Sequence, residues 1–361
     1  NISIFIPHLG CPFNCIFCDQ YKITGSDSAV TPLDVYNILS QAVADKKLSK
    51  KNTQIAFFGG SFTAIDRDLM ISYLKTAYEF TGADKFHSIR ISTRPDCIDD
   101  ATLDILKEFN VKTIELGIQS FDDEVLKASK RGYTAKTALT SCRLIQSRGF
   151  ELGIQIMCGL PQDTQQKDIQ TARKIIELGC RQVRIYPVIV IEGTELCRQY
   201  RQGSYTPLTL DEAVDTCSKL YSMFYEKDIT ILKMGLHTAS CGVAGPFHPA
   251  FGELVRSQVF FYEVINVIQN MNKEYTYTIM VAPSFVSTAV GNGKRNTMRF
   301  KSRGFNIKIV SDPSVTHGNC SLLVVTNQLP FAISHRDSLI TISPKQKSLR
   351  KTQRLFNFVL T

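Results

Sequence analysis

Short apolar runs alternate with longer amphipathic ones along the first two thirds of the chain. Ile2–Ile6, Gln54–Phe58, Ser88–Ser92, Thr113–Leu116, Glu151–Met157, Gln182–Tyr186 and Ile229–Leu232 are short and rich in β-branched residues, and they read as strands. Between them, Pro32–Ala44, Asp66–Phe80, Asp100–Phe109, Thr134–Arg148, Asp163–Leu178 and Leu210–Glu226 space their apolar residues as helices do. Thr31 before Pro32 is a predicted N-cap ahead of a first-turn proline. Gly149 and Gly179 stand where helices stop. A run of βα units with short connections predicts an α/β fold: a parallel sheet with helices outside, coiled into a full or partial barrel. Chemistry in such barrels sits at the carboxyl ends of the strands.

The alternation breaks at 237–251, where HTASCGVAGPFHPAF is rich in Gly, Pro and small residues. Gly252–Asn270 then reads as one helix. After it come a strand (Tyr275–Ala282), a helix (Ser284–Val290), a Gly-Asn-Gly turn, a basic helix (Asn296–Arg303) and two strands (Phe305–Val310 and Ser321–Thr326). This order fits a small α+β, KH-like RNA-binding module, whose Gly-x-x-Gly loop clamps a nucleotide backbone. Here the loop is Gly291-Asn292-Gly293-Lys294, with lysine in the last place. An ordinary turn in a small appendage is the alternative. The expected domains are a barrel at 1–237, a linker and connecting helix at 238–271, the α+β unit at 272–328, and a basic tail at 329–361 without regular structure.

Composition adds little, and charge adds more. Hydrophobic content is 43% and charged content 21%, as in ordinary globular proteins. No apolar run approaches the ~18 residues of a membrane span, and the chain opens on Asn1 with no leader-like stretch. The net charge is +9, yet Val290–Val310 alone carries Lys294, Arg295, Arg299, Lys301, Arg303 and Lys308 without an acid. Such a concentration points to a polyanion, with a solvated basic face as the alternative. Lys294, Arg295 and Arg299 are the candidate RNA contacts.

The strongest chemical signal is the stretch Ile2–Gln20, ISIFIPHLGCPFNCIFCDQ. Cys11, Cys15 and Cys18 have the spacing C-x3-C-x2-C on a loop after the first strand. Thiolates are soft ligands that suit iron–sulfur clusters, zinc or Cu(I). Zinc sites usually close with four protein ligands, often as two C-x2-C pairs. A zinc loop completed by His8, or three unrelated buried cysteines, are the alternatives. Three thiolates on a four-iron cluster leave one iron open for a further ligand. This pattern, with Phe17 before the third cysteine, resembles the radical S-adenosylmethionine (SAM) superfamily, where the open iron of a [4Fe–4S] cluster chelates SAM. The resemblance implies one-electron cleavage of SAM to a 5′-deoxyadenosyl radical, and a reductant such as flavodoxin or ferredoxin. The other eight of the 11 cysteines are scattered. An odd count on a long chain does not fit a disulfide framework, so a reducing, cytoplasmic setting is expected.

The remaining candidates lie at successive strand ends. Phe58-Gly59-Gly60-Ser61-Phe62 follows the second strand. The resemblance implies that Gly59, Gly60 and Ser61 bind the amino group of SAM, although the family's usual Glu is Ser61 here. Ser92 and Arg94 close the third strand, Gln119 the fourth, and Gln155 lies near the end of the fifth. Arg131 is the candidate for SAM's carboxylate, because a guanidinium holds a carboxylate in a fork. Gln155 or Ser92 is the candidate for SAM's ribose or amino group. Tyr186 and Lys233 are candidate catalytic residues that contact substrate or cluster.

GIQSFDDEVLKASKRGYT, IMCGLP and RIYPVIVIEGTELCRQYRQGSY narrow the resemblance. They are similar to the radical SAM domain of the Elongator catalytic subunit and its bacterial relatives, and in part to the coproporphyrinogen dehydrogenase branch. The resemblance covers about residues 1 to 237 and implies a six-strand partial barrel. Elongator's acetyltransferase domain binds acetyl-CoA on an Arg/Gln-x-x-Gly-x-Gly/Ala turn, and no such string occurs here. The function expected is a radical SAM enzyme modifying tRNA or rRNA. A radical SAM oxidase of a tetrapyrrole or other small molecule, and a non-catalytic RNA-binding protein with a structural cluster, are the alternatives. Oligomeric state is not legible.

Overall fold

The computed structural model describes residues 1–6, 9–12, 15–24, 30–45, 48–236 and 242–315. It also describes the backbone of strands at 319–325, 331–332, 334–336, 339–341 and 354–359. His8, the possible zinc ligand, lies outside the described residues, as do parts of the expected linker and tail. The chain divides into two compact units, Asn1–Pro249 and Ala250–Thr361.

The first unit is built on parallel strands β1 (Ile2–Ile6), β2 (Gln54–Gly59), β3 (Ser88–Thr93), β4 (Val111–Gln119), β5 (Glu151–Cys158) and β6 (Gln182–Pro187). The short β7 (Val190–Ile191) follows, then β8 (Thr230–Met234) and the short β9 (Gly242–Ala244), which pairs with β7. The main sheet runs β1-β2-β3-β4-β5-β6-β8. The sheet therefore holds the six strands implied by the resemblance and a seventh, which adds parallel to β6 and continues the βα alternation. Helices such as Pro32–Ala44, Arg67–Tyr78, Ala135–Ser147 and Gln165–Glu177 join the strands. Each starts on a side-chain acceptor: Thr31, Asp66, Thr134 and Thr164 bond the N3 amide, an interaction worth about 1 kcal/mol each.

The two faces of the sheet differ in chemistry. Ile89, Ile91, Ile114, Leu116, Ile154, Ile156, Val183 and Ile185 are buried on one face. The alternating positions on the other face are polar: Arg90, Ser92, Glu115, Gln155 and Arg184. Parallel strands covered on both faces are ordinarily apolar on both. The polar inner face therefore has a role other than packing.

In the second unit the helix Phe251–Ile268, read from sequence as a connector, belongs to a core of its own. Phe260, Phe261, Val264 and Ile268 pack with Tyr277, Ile279, Val281, Phe285 and Phe300. Strand β10 (Thr276–Val281) pairs parallel with β11 (Asn306–Ser311) and antiparallel with β12 (Asn319–Val325). Helices Val286–Val290 and Arg295–Ser302 lie between β10 and β11, joined through Gly291–Lys294. In the tail, Arg354–Val359 forms a strand antiparallel to β12, where the sequence pattern was too short to register against the polar flanks. Among the described residues no helix is long and apolar enough to cross a membrane.

Candidate active site

A cavity at the carboxyl end of the sheet collects every residue expected to hold cluster or cofactor. Cys11, Cys15 and Cys18 line it with Phe17, Gly59, Gly60, Ser61, Ser92, Arg94, Gln119, Arg131 and Gln155. Gln20, which the sequence reading missed although it lies two residues past Cys18, lines it as well.

Two anchors shape the cysteine loop. Ile16 and Phe17 are buried in an apolar cluster with Val125, Leu160, Val188, Val190 and Leu196. Ile16 bonds backbone to backbone with Ser129 (3.4 Å) and Leu196 (2.8 Å). With those two side chains fixed in the core, the flanking Cys15 and Cys18 reach the cavity. The loop's start is tied to the end of β2. Gly60 donates to the carbonyl of Ile6 (2.7 Å) and Ser61 to that of Leu9 (3.1 Å). This approach requires a glycine, since a Cβ on Gly60 would stand 2.2 Å from the Leu9 carbonyl oxygen and 2.8 Å from that of Ile6. Both obstacles are backbone. Gly60→Ala should therefore cost about 1–3 kcal/mol of stability and lower the iron bound, as thermal melting and iron assay would show. Unchanged melting and iron content would mean that the loop is not held by this contact.

Three of the cavity's polar groups already bond to the protein itself. Arg131 was expected to offer an open fork to SAM's carboxylate. Instead its Nη1 donates to Cys15 Sγ (2.9 Å), its Nε to Tyr133 (2.9 Å) and its Nη2 to the Gly117 carbonyl (2.5 Å). The guanidinium is thus committed to a cysteine ligand. Burial opposes its charge, but Tyr133 and Cys15 outweigh burial and raise its pKa. Arg94 grips Asp96 with two nitrogens (3.0 and 2.9 Å) and bonds the Arg131 carbonyl, while its Nη1 lies 3.7 Å from Cys15 Sγ. It braces the same ligand. The Gly59 carbonyl already accepts from the Gln20 side chain. Most of these partners stand on the segments that follow strand ends, far apart in sequence, and no motif announces the contacts.

Other groups remain available. Gln119 closes β4 with a positive φ of 71° beside a register shift. Its Oε1 is buried and has no hydrogen-bond partner among the described residues. Strain and an orphan acceptor at one cavity-lining residue mark a place where a bound donor is expected. Gln155 donates to Ser92 (3.1 Å) and to Glu115 (3.0 Å), so those two candidates are linked to each other. Cys18 is pushed up to about 12 by burial and by Cys15 and Cys11. A Cys18 thiolate in this space therefore needs a cationic centre beside it. Among the described residues no three His, Cys, Asp or Glu side chains converge as around a single ion. Cys11, Cys15 and Cys18 line the cavity together.

Residues 5–175 match the Radical SAM superfamily, and 180–260 match the Radical_SAM C-terminal domain. Together they span more than two thirds of the chain. The chain belongs to the radical SAM superfamily. Members of this superfamily are enzymes that bind a [4Fe–4S] cluster and SAM, and the cavity fits both. Cys11, Cys15 and Cys18 are the thiols that would hold the cluster, and Gln119, Ser92 and Gln155 are polar groups lining the same cavity. An uncharacterized protein of Methanocaldococcus jannaschii is 30% identical over 214 residues, 58% of this chain and 62% of that protein. A tRNA uridine(34) acetyltransferase of Dehalococcoides mccartyi is 23% identical over 239 residues, 57% of this chain and 52% of its own. The chain thus spans little more than half the length of these relatives. An archaeal Elp3 from Methanocaldococcus infernus, with an N-terminal deletion, shares the fold at TM-score 0.56 and 16% identity. It covers 98% of this chain, which covers 86% of it.

Tyr186 and Lys233 are not among the residues lining the cysteine cavity; both lie near Arg184, on β6 and β8. Burial raises the pKa of Tyr186 despite Arg184, so its phenol stays protonated at neutral pH. In the second unit, Arg299 proves less available than its charge suggested. Its Nη1 donates to Gln258 (2.6 Å) and its guanidinium lies 3.7 Å from the centre of the Phe261 ring. Arg295 is half-buried, whereas Lys294, Lys301 and Arg303 are exposed.

Proposed function

We propose that this radical SAM enzyme modifies RNA, with tRNA the substrate class. Once bound, the cluster and SAM supply an organic radical that abstracts a hydrogen atom from a substrate carbon. The chain's own residues hold those groups through Cys11, Cys15 and Cys18, and they set the charge around Cys15 with Arg131 and Arg94.

The observation that carries the RNA reading is the turn and helix at Lys294–Arg303. Lys294, Lys301 and Arg303 are exposed there, in a segment without an acid. Relatives named as tRNA uridine(34) acetyltransferases support it. Replacing Lys294 and Lys301 together with Glu should remove one to two phosphate contacts. Each contact to a single strand contributes about −0.7 to the slope of log affinity against log salt, so the slope should fall by about 1. Filter binding of unmodified tRNA across a salt series reads this directly. An unchanged slope would assign the segment to a solvated face. The small-molecule reading would then stand in its place.

A further inference from the structure

The inner face of the barrel carries more positive than negative charge where β6 meets β8. Arg90, Arg184 and Lys233 are cations, and Glu115 is the carboxylate they share. Its Oε1 accepts from Arg90 (2.6 Å) and Arg184 (3.0 Å), and its Oε2 from Arg184 (2.6 Å) and Gln155 (3.0 Å). Both oxygens are fully occupied. Arg90's other nitrogens end on the amide oxygens of Gln54 (2.9 Å) and Gln182 (2.8 Å).

Lys233 is the cation left over. It pairs in register with Arg184 across the parallel β6–β8 ladder, so the two side chains share a face. It is half-buried. Among the described residues it has no ion-pair or hydrogen-bond partner, and burial and the Arg184 charge both lower its pKa. Glu115 is already bound through both oxygens, so it does not serve the Lys233 ammonium, and holding that charge half-buried beside the Arg184 guanidinium is costly unless a further anion arrives.

An apolar wall stands next to this pair. The sheet curls far enough for the Arg184 guanidinium to lie 4.8 Å from the centre of the Phe58 ring, although Phe58 belongs to β2. Phe5 of β1 is the register partner of Phe58, with ring centres 6.2 Å apart. Phe5 is 44% exposed, unusual for a phenylalanine on the inner face of a sheet. Gln155, which bonds Glu115, also lines the cysteine cavity, so the charged group and the cavity are contiguous.

We propose that Lys233 and Arg184 form an anion-binding subsite for the substrate, with Phe58 and Phe5 as the wall for an attached planar ring. The ligand class is a planar ring bearing a phosphate or carboxylate, of which a nucleotide within RNA is one case. The subsite rests on the proposed function only in that the barrel takes substrate on this face.

The test is calorimetric binding to cluster-loaded protein saturated with SAM, so that SAM's own pocket is filled. The probes are uridine, uridine 5′-monophosphate and orotate. One charge-assisted contact is worth about tenfold or more in affinity, so at least one anion should bind about tenfold tighter than uridine. Which anion it is separates phosphate from carboxylate. Lys233→Met should erase the preference, Lys233→Arg should retain it, and SAM affinity should be the same in all three proteins. No anion preference in the wild type, or an undiminished one in Lys233→Met, overturns the subsite. If Lys233→Met loses SAM affinity as well, the residue serves the fold and the proposal fails. The outcome is independent of the Lys294 and Lys301 experiment. The RNA reading can fall while the anion preference stands, and the reverse.

Discussion

Replacing any one of Cys11, Cys15 or Cys18 with alanine should take the iron bound after anaerobic reconstitution from about four atoms per chain to none. Among the described residues these three are the cysteines that line the cavity. Cys97, the next cysteine along the chain, does not line the cavity. Its thiol, pushed up to about 11 by burial and by Asp96, is a poor thiolate at neutral pH. Cys97→Ala should accordingly keep its iron. SAM cleavage to 5′-deoxyadenosine should vanish in the three ligand variants and persist in the Cys97 variant. Iron and sulfide assays with the visible absorbance band measure the first effect, and product chromatography measures the second. Stoichiometric zinc without iron in the anaerobically purified wild type would sink the assignment. So would a ligand variant that keeps a full complement of iron.

What could be read in the chain was local. The cysteine triplet, the Gly59–Gly60 pair and the polar strand ends each sit within a few residues of a strand that alternation already marks, and the fold brings them to one cavity. What could not be read was pairwise. Arg90, Glu115 and Arg184 are separate polar residues in three separate apolar runs, and each alone looks like a solvent-facing position. Only the register of β3, β4, β5 and β6 makes them one network. The same holds for Gly153, whose missing side chain leaves room for Glu115, since a Cβ there would stand 2.9 Å from Glu115 Cγ. Arg131 lines the cavity as the sequence placed it, but nothing in the sequence says that its nitrogens meet Cys15, Tyr133 and Gly117. Arg299 shows the converse error. Charge pattern placed it among the RNA contacts, while its neighbours one helix away, Gln258 and Phe261, draw it into the fold.

Glu115→Gln should be the most destabilising single change on the inner face. Glu115 is fully buried, with Arg90 buried beside it and Arg184 nearly so. The amide keeps the shape and removes the charge, leaving the two guanidinium groups facing one neutral oxygen and one NH2 that is itself a donor. Breaking a buried ion pair from one side costs about 3–5 kcal/mol, since the remaining charges stay desolvated. Urea unfolding should show the midpoint falling with little change in slope. The effect should also depend on pH with a definite sign. Burial alone would raise the Glu115 pKa, but Arg184 and Arg90 outweigh it, and the folded value lies below the unfolded one. The carboxylate's contribution is therefore complete above its unfolded pKa of about 4.3 and is lost as pH falls through the lowered folded value. The gap between wild type and Glu115→Gln should stay constant near neutrality and close only below about pH 4. Removing Arg90, Glu115 and Arg184 together with apolar residues of similar volume should cost less than Glu115→Gln alone, because no orphan charge is left behind. A loss under about 1 kcal/mol in the single variant would mean that solvent or an anion already balances these cations. The inner face would then be open to water rather than organised around Glu115.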